Sequence, residues 1–138
     1  MNQRLFEIME EEVKLLELLL NILEKQYNLL TQVKKDIVEI SKVADEIDIL
    51  IKKIATLEVE KKDRLQGKSL LEFVEKSNNE EITDKYYNTL KLLDMISIQK
   101  DANYLFIKQQ LFFTKSIIKA ITPNRNAEIY DSLGKIKK

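Results

Sequence analysis

The chain has 138 residues, 33% charged and 44% hydrophobic, with 23 basic and 23 acidic side chains that cancel to zero net charge. That is the size of one domain with enough apolar surface for its own core. Histidine, cysteine and tryptophan are absent, which excludes disulfides, thiol nucleophiles, Ser-His-Asp and Cys-His catalysis and the Glu-x-x-His sites of di-iron bundles. Gly67 and Gly134 stand alone, so no glycine-rich phosphate loop exists. These absences predict a protein that is not an enzyme and uses no metal or cofactor.

The chain opens Met1-Asn2-Gln3-Arg4-Leu5-Phe6-Glu7. Glu7 and Glu10 to Glu12 interrupt any apolar stretch, so no signal peptide is expected. No window approaches the ~18 uninterrupted apolar residues of a membrane span. A cytoplasmic protein without stable membrane insertion is expected. Periodicity predicts a first helix over residues 3–32 with two apolar stripes. One runs Phe6, Met9, Val13, Leu16, Leu20, Leu23, Tyr27, Leu30, and the other Ile8, Leu15, Leu19, Ile22, Leu29. Two adjacent stripes form a face too wide for a single neighbour, which places this helix centrally. Glu10, Glu11 and Glu12 are expected on its solvated side.

The junction near Lys34-Lys35 reads as either a loop or a kink. Asp36 and Glu39 have capping-box spacing at the start of a second helix. Its stripe reads Ile37, Ile40, Ala44, Ile47, Ile51, Ile54, with Leu50 and Leu57 beside it, and the alternating acids and bases from Glu58 to Arg64 are expected on its outer face. Gly67 is expected to cap its end. Ser69 and Glu72 open a short helix over 69–76, and Asn78 with Glu81 repeats the spacing before a last helix over 80–121. Thr122-Pro123 ends that helix. The expected fold is an all-α antiparallel helical bundle of three long helices and one short one. Residues 1–123 are expected to form the bundle and 124–138 a flexible C-terminal tail.

Residues 103–121 carry more apolar side chains than one face can hold. Tyr104, Ile107, Leu111, Ile118 and Ile121 form a stripe most simply read as core. Phe106, Phe113 and Ile117 fall to one side and Leu105 and Phe112 to the other. Either this helix is central too, or part of it waits for a partner, as an exposed aromatic and aliphatic patch does. The last forty residues, 99–138, hold eight Lys or Arg against three acids, leaving 15 bases and 20 acids in the remainder. The basic end either solvates the helix or favours an acidic partner. Lys108, Lys115 and Lys119 border Phe112, but zero net charge and the absence of Trp argue against nucleic acid.

The order of these features resembles the FlgN family, the bacterial flagellar type III export chaperones. The likeness begins with the leucine-rich first helix through Glu24, and continues with Asp36 opening a second helix that ends in Leu57-Glu58 and a basic run with Arg64. It resumes at Asn103 with Leu105 and Ile107, then Leu111, Phe113 and Ile117, and closes with Tyr130-Asp131-x-x-Gly134. Lys61 and Lys62 crowd the basic position, and residues 104–113 are unusually bulky for the pattern.

The resemblance implies a chaperone for hook-associated flagellar proteins of the hook–filament junction. It would bind their helical C-terminal segment, keep them unassembled and deliver them to the export gate or export-ATPase components. The candidate client-binding residues are Leu105, Phe106, Phe112, Phe113 and Ile117, and an amphipathic client helix would lay its apolar face along such a surface. Tyr130, Asp131 and Gly134 are, by the resemblance, candidates for docking on the export gate; otherwise Tyr130 packs back on the bundle. A monomer or weak homo-oligomer is expected. The competing readings are a self-associating structural coiled-coil protein and a helical chaperone of another secretion system.

Overall fold

The computed structural model describes residues 3–121. All regular structure among them is helical: α1 spans Gln3–Leu30, α2 Ile37–Leu65, α3 Leu70–Ser77 and α4 Glu80–Ile121. Two compact units divide the chain after Asn103, and each is described by itself.

Side-chain caps set the helix boundaries. A six-residue loop, not a kink, separates α1 from α2. Asp36 ends it, its carboxylate accepting from the Glu39 N–H at 3.1 Å, which satisfies one of the four orphan donors at a helix start. α2 closes on Gln66, whose left-handed backbone (φ 50°, ψ 49°) turns its N–H onto the Lys62 carbonyl. Gly67, expected as that cap, follows at φ 84°, a conformation in which any other residue would be strained. Ser69 caps α3 as expected, accepting from the Glu72 N–H at 3.0 Å. Asn78 does not open α4. It is the left-handed C-cap of α3 (φ 50°), and the neighbouring Asn79 carboxamide accepts from Glu81 N–H at 2.9 Å and Ile82 N–H at 3.3 Å. Either asparagine has a plausible spacing, and only the backbone turn assigns one to each role.

In the first unit α1 is covered on two sides. Leu5, Ile8, Leu16, Leu19 and Leu23 are buried, as are Val43 and Leu57 of α2, and these two helices make the closest backbone approach. They are antiparallel, because Arg4 pairs with Glu60 at 2.7 Å and Lys25 with Glu39 at 3.0 Å. The second side meets α3 and α4. Met9 packs with Val74 and Ile82, and Leu16 and Leu20 pack with Leu92. Positions along α1 and α4 rise together, so residues 80–103 run parallel to α1. The central placement expected for α1 is what the packing gives.

The α2 stripe is rotated from the expected one. Ile37 and Ile51 are exposed, whereas Val43 and Leu57 are buried and Ile40, Ile47, Leu50 and Ile54 half-buried. The buried set recurs at alternating intervals of three and four, a coiled-coil seam; the isoleucine run has the same spacing and shares Ile40, Ile47 and Ile54 with it, so spacing alone does not choose between Ile37, Ala44 and Ile51 on one side and Val43, Leu50 and Leu57 on the other. Nor is the stretch from Glu58 to Arg64 simply an outer face. Arg4 grips Glu60 through Nε and Nη2 at 2.7 and 2.8 Å, a two-pronged charge-assisted contact that holds the Glu60 carboxyl below the usual carboxylate range.

The unit ends on a buried polar clamp. Asn103 is 2% exposed. Its Nδ2 donates to the Leu23 carbonyl at 2.8 Å and to Gln26 Oε1 at 2.7 Å, and its Oδ1 accepts from Gln99 at 3.0 Å. A buried amide costs free energy unless its bonds are made, and these can be made only in one register of α4 on α1. Asn103→Ala strands the Gln26 and Gln99 amides, and is expected to destabilise the fold by about 1–3 kcal/mol. A melting temperature several degrees below wild type checks this, and Asn103→Asp should not restore it.

Candidate functional site

The first place to look for chemistry is the buried charge between α1 and α2. Glu12, expected in solvent, is 5% exposed, because it falls on the seam with Leu5, Ile8, Leu16 and Leu19 at helical spacing. Lys61 reaches it at 3.0 Å and also pairs with Glu58. Burial, together with a hydrogen bond to Glu58, pushes the Glu12 carboxyl up from 4.5 to about 7 against the pull of Lys61. Its hydrogen bond to Glu12 holds the Glu58 carboxyl below its ordinary value. A carboxyl poised near neutrality can be a general acid when it opens into a cleft. Here its partners are the facing helix's own side chains, and the arrangement cross-links α1 to α2. Among the described residues no group of three or more acidic side chains could hold a metal ion.

The second candidate is the second unit, residues 104–121 of α4. Leu105 is 57% exposed and Phe112 74% exposed. They are seven residues apart, two helical turns, and so share one side. Ile117 is also exposed and Phe106 is half-buried. Phe113 lies among side chains outside those described, as does Leu111. Tyr104 and Ile118, expected in a core stripe, are exposed as well. Lys108 lies 5.5 Å above the Tyr104 ring, within cation–π range. A helix with apolar residues on every side is one that a partner can cover. Tyr130, Asp131 and Gly134 lie outside the described residues.

A third surface escaped the sequence reading. Along the α1–α2 seam, on the side of α1 turned away from Met9, Leu16 and Leu20, two apolar hollows of about 400 and 380 Å³ follow one another. Leu15 and Leu57 line the first and Leu18, Ile22, Ile49 and Leu50 the second. Leu15 and Ile22, expected in the second stripe of α1, form with Leu18 a separate apolar strip on the far side of that helix.

These surfaces belong to a helical protein that exposes apolar side chains on its helix faces, and no described helix is long and apolar enough to cross a membrane. The sequence model described as FlgN protein matches residues 1–138, the whole chain, and the chain belongs to the FlgN family, a family of flagellar export chaperones. No curated protein and no solved structure matches it.

The Glu12 cluster generates a pH dependence of definite sign. Its folded pKa lies above the unfolded value of 4.5, so the folded state holds this proton more tightly. The stabilisation is complete below about 4.5 and is lost as pH rises through about 7. Glu58, shifted down, acts oppositely, and only below the ordinary carboxylate range. Glu12→Gln keeps an acceptor for Lys61 and a donor for Glu58 without the charge. Urea unfolding should show wild-type stability declining from pH 5 to pH 8 and the variant nearly level, the variant being the more stable at pH 8 by on the order of 1 kcal/mol. Parallel pH profiles for the two proteins would assign the dependence to other groups.

Proposed function

We propose that this chain is a cytoplasmic flagellar export chaperone that holds the helical C-terminal segment of hook-associated proteins and delivers them unassembled to the export gate. Family membership supports the chaperone class. The client site rests on one observation: Leu105 and Phe112 project into solvent from one side of an uninterrupted helix. An amphipathic client helix has its own apolar residues at three- and four-residue spacing, and would match that side turn for turn. Phe106, Phe113 and Ile117 complete the proposed contact, so that the client is gripped across adjoining sides. Lysines 108, 115 and 119 between the apolar positions suit a client segment bearing acids. In this reading residues 1–123 form the chaperone body, and residues 124–138 form a tail that presents Tyr130, Asp131 and Gly134 to the export gate or the export ATPase.

Aromatic anchors at an interface commonly contribute about 2 kcal/mol or more. Leu105→Ala and Phe112→Ala are therefore expected to weaken binding of a purified hook-associated C-terminal segment roughly tenfold or more, with melting temperatures close to wild type because neither side chain is buried. Calorimetric titration beside thermal melts separates binding from folding. Unchanged affinity in both variants would move the site off this helix.

Deleting residues 124–138 tests the tail. Client affinity should be retained, while secretion of hook-associated proteins falls in cells carrying the truncated chain. Normal secretion would remove the docking role from Tyr130, Asp131 and Gly134.

A further inference from the structure

The reversal from α2 into α3 forms a cavity of about 270 Å³, lined by Arg64 and Leu65 of α2, Lys68 of the turn, and Glu72, Phe73 and Lys76 of α3. Two successive left-handed residues, Gln66 at φ 50° and Gly67 at φ 84°, turn the chain back, and the Lys68 N–H closes the turn on the Leu65 carbonyl at 3.0 Å. Three cations from separate elements are thereby brought to one cavity, and the acids beside them do not balance them. Lys76 is matched by Glu72 at 3.2 Å. Arg64 has Glu60 alone among the described residues, through Nε at 3.3 Å, and Arg4 already holds that carboxylate by bonds of 2.7 and 2.8 Å. One carboxylate thus serves two guanidiniums. No acid lies within ion-pairing distance of Lys68 among the described residues. The cavity also has an apolar wall: Leu65 and Phe73 are half-buried, and Phe73 packs on Met9, Val74 and Ile82.

We infer that this cavity binds a short acidic segment of a partner protein, an Asp or Glu side chain with an apolar residue beside it. The carboxylate is taken by Arg64 and Lys68. With Nε given to Glu60, the Nη1 and Nη2 edge of Arg64 makes no other bond among the described residues, and that edge of a guanidinium matches a carboxylate with two parallel bonds. The apolar neighbour covers Leu65 and Phe73, from which a free inorganic anion would gain nothing. Size points the same way, since cavities that take a drug-sized ligand run to roughly 300–1,000 Å³, and this one has room for side chains. The surroundings reject a long polyanion. Residues 1–98 hold 15 bases and 20 acids, so a nucleic-acid backbone or an anionic membrane meets repulsion outside the cavity, whereas a short acidic segment meets only the local surplus of positive charge. All the residues involved lie in the first unit, and none belongs to the proposed client site.

The test uses the isotope-labelled full-length chain, titrated with a short synthetic peptide in which a leucine stands between glutamates and followed by amide chemical shifts. Saturable shifts are expected at Arg64, Lys68 and Phe73. A peptide with glutamines in place of the glutamates should leave them unmoved, and one with alanine in place of the leucine should bind more weakly. Arg64→Gln and Lys68→Gln should each raise the dissociation constant roughly tenfold, the loss expected for a hydrogen bond to a charged group. Lys62→Gln removes the same charge from the same end of α2 but outside the cavity, and should change the constant less than twofold. Equal weakening by Lys62→Gln, unchanged affinity in both cavity variants, or equal binding of the glutamine peptide would each overturn the site. Shifts confined to residues 104–121 would do so as well, and would leave the proposed client helix standing. Inorganic phosphate is titrated in parallel: the same saturable shifts with phosphate, together with equal affinity for the alanine peptide, would replace the acidic segment by a free anion.

Discussion

The structure depends on a helix that is apolar around most of its circumference. α1 carries three strips of leucine, isoleucine and methionine, and each can be removed from water only by a separate neighbour. Leu5, Ile8 and Leu19 are buried, Met9 packs with Val74 of α3 and Ile82 of α4, and Leu16 and Leu20 pack with Leu92 of α4 and Ile54 of α2. The third, with Leu15, Leu18 and Ile22, is only partly covered. At roughly 25 cal/mol per Å² of apolar surface, burying a leucine contributes about 2 kcal/mol, so a strip left open on one chain is a standing drive toward association.

Apolar packing of this kind is forgiving about register, since one leucine turn resembles the next. Buried polar groups are not. Glu12, Lys61 and Glu58 fit only when α1 and α2 meet at one offset, and Asn103 can reach both the Leu23 carbonyl and Gln26 only at one offset of α4. Replacing such groups by apolar ones of similar shape can leave a fold as stable or more so; the specific contribution here is to choose among near-equivalent helix alignments. The family resemblance resumes at Asn103, and the position's role in the fold is to fasten α4 to α1 where the first unit ends.

The helices, their lengths and two of the caps were legible in the sequence because they rest on local signals: apolar periodicity, the absence of breakers, and a Ser or Asp three residues before Glu. Where local pattern and structure differ, the deciding quantity is not local. Glu12 follows two other glutamates, a pattern that reads as solvated, yet the seam through Leu5, Ile8 and Leu16 passes through it. The isoleucines of α2 spell a stripe of seam spacing, although burial selects Val43 and Leu57 beside it. Asn78 and Asn79 exchange roles according to a left-handed backbone turn that either could adopt. Within the candidate site the surplus of apolar residues over 103–121 was plain from spacing. The division between core and surface was not, since it depends on whether a neighbour arrives, and Tyr104 and Ile118 are exposed where a core stripe was expected.

A chaperone that displays apolar side chains must avoid sticking to its own kind indiscriminately, and the two open surfaces meet that demand differently. On residues 104–121 the apolar positions are interleaved with Lys108, Lys115 and Lys119. On this proposed client site two such helices would repel each other and a helix bearing acids would be drawn in, so charge rather than shape would reject self-pairing. The α1–α2 groove has the opposite character: charges of both signs line it, Glu11, Lys14, Glu46 and Lys53 among them. Backbone exposure is not a hazard in either case, because helices satisfy their own hydrogen bonds and present no open sheet edge to template aggregation. Helices the length of the 104–121 segment are marginal without packing. The packing that a client helix supplies would therefore stabilise the chaperone helix as well as the client, and recognition and helix stability on that surface become one equilibrium.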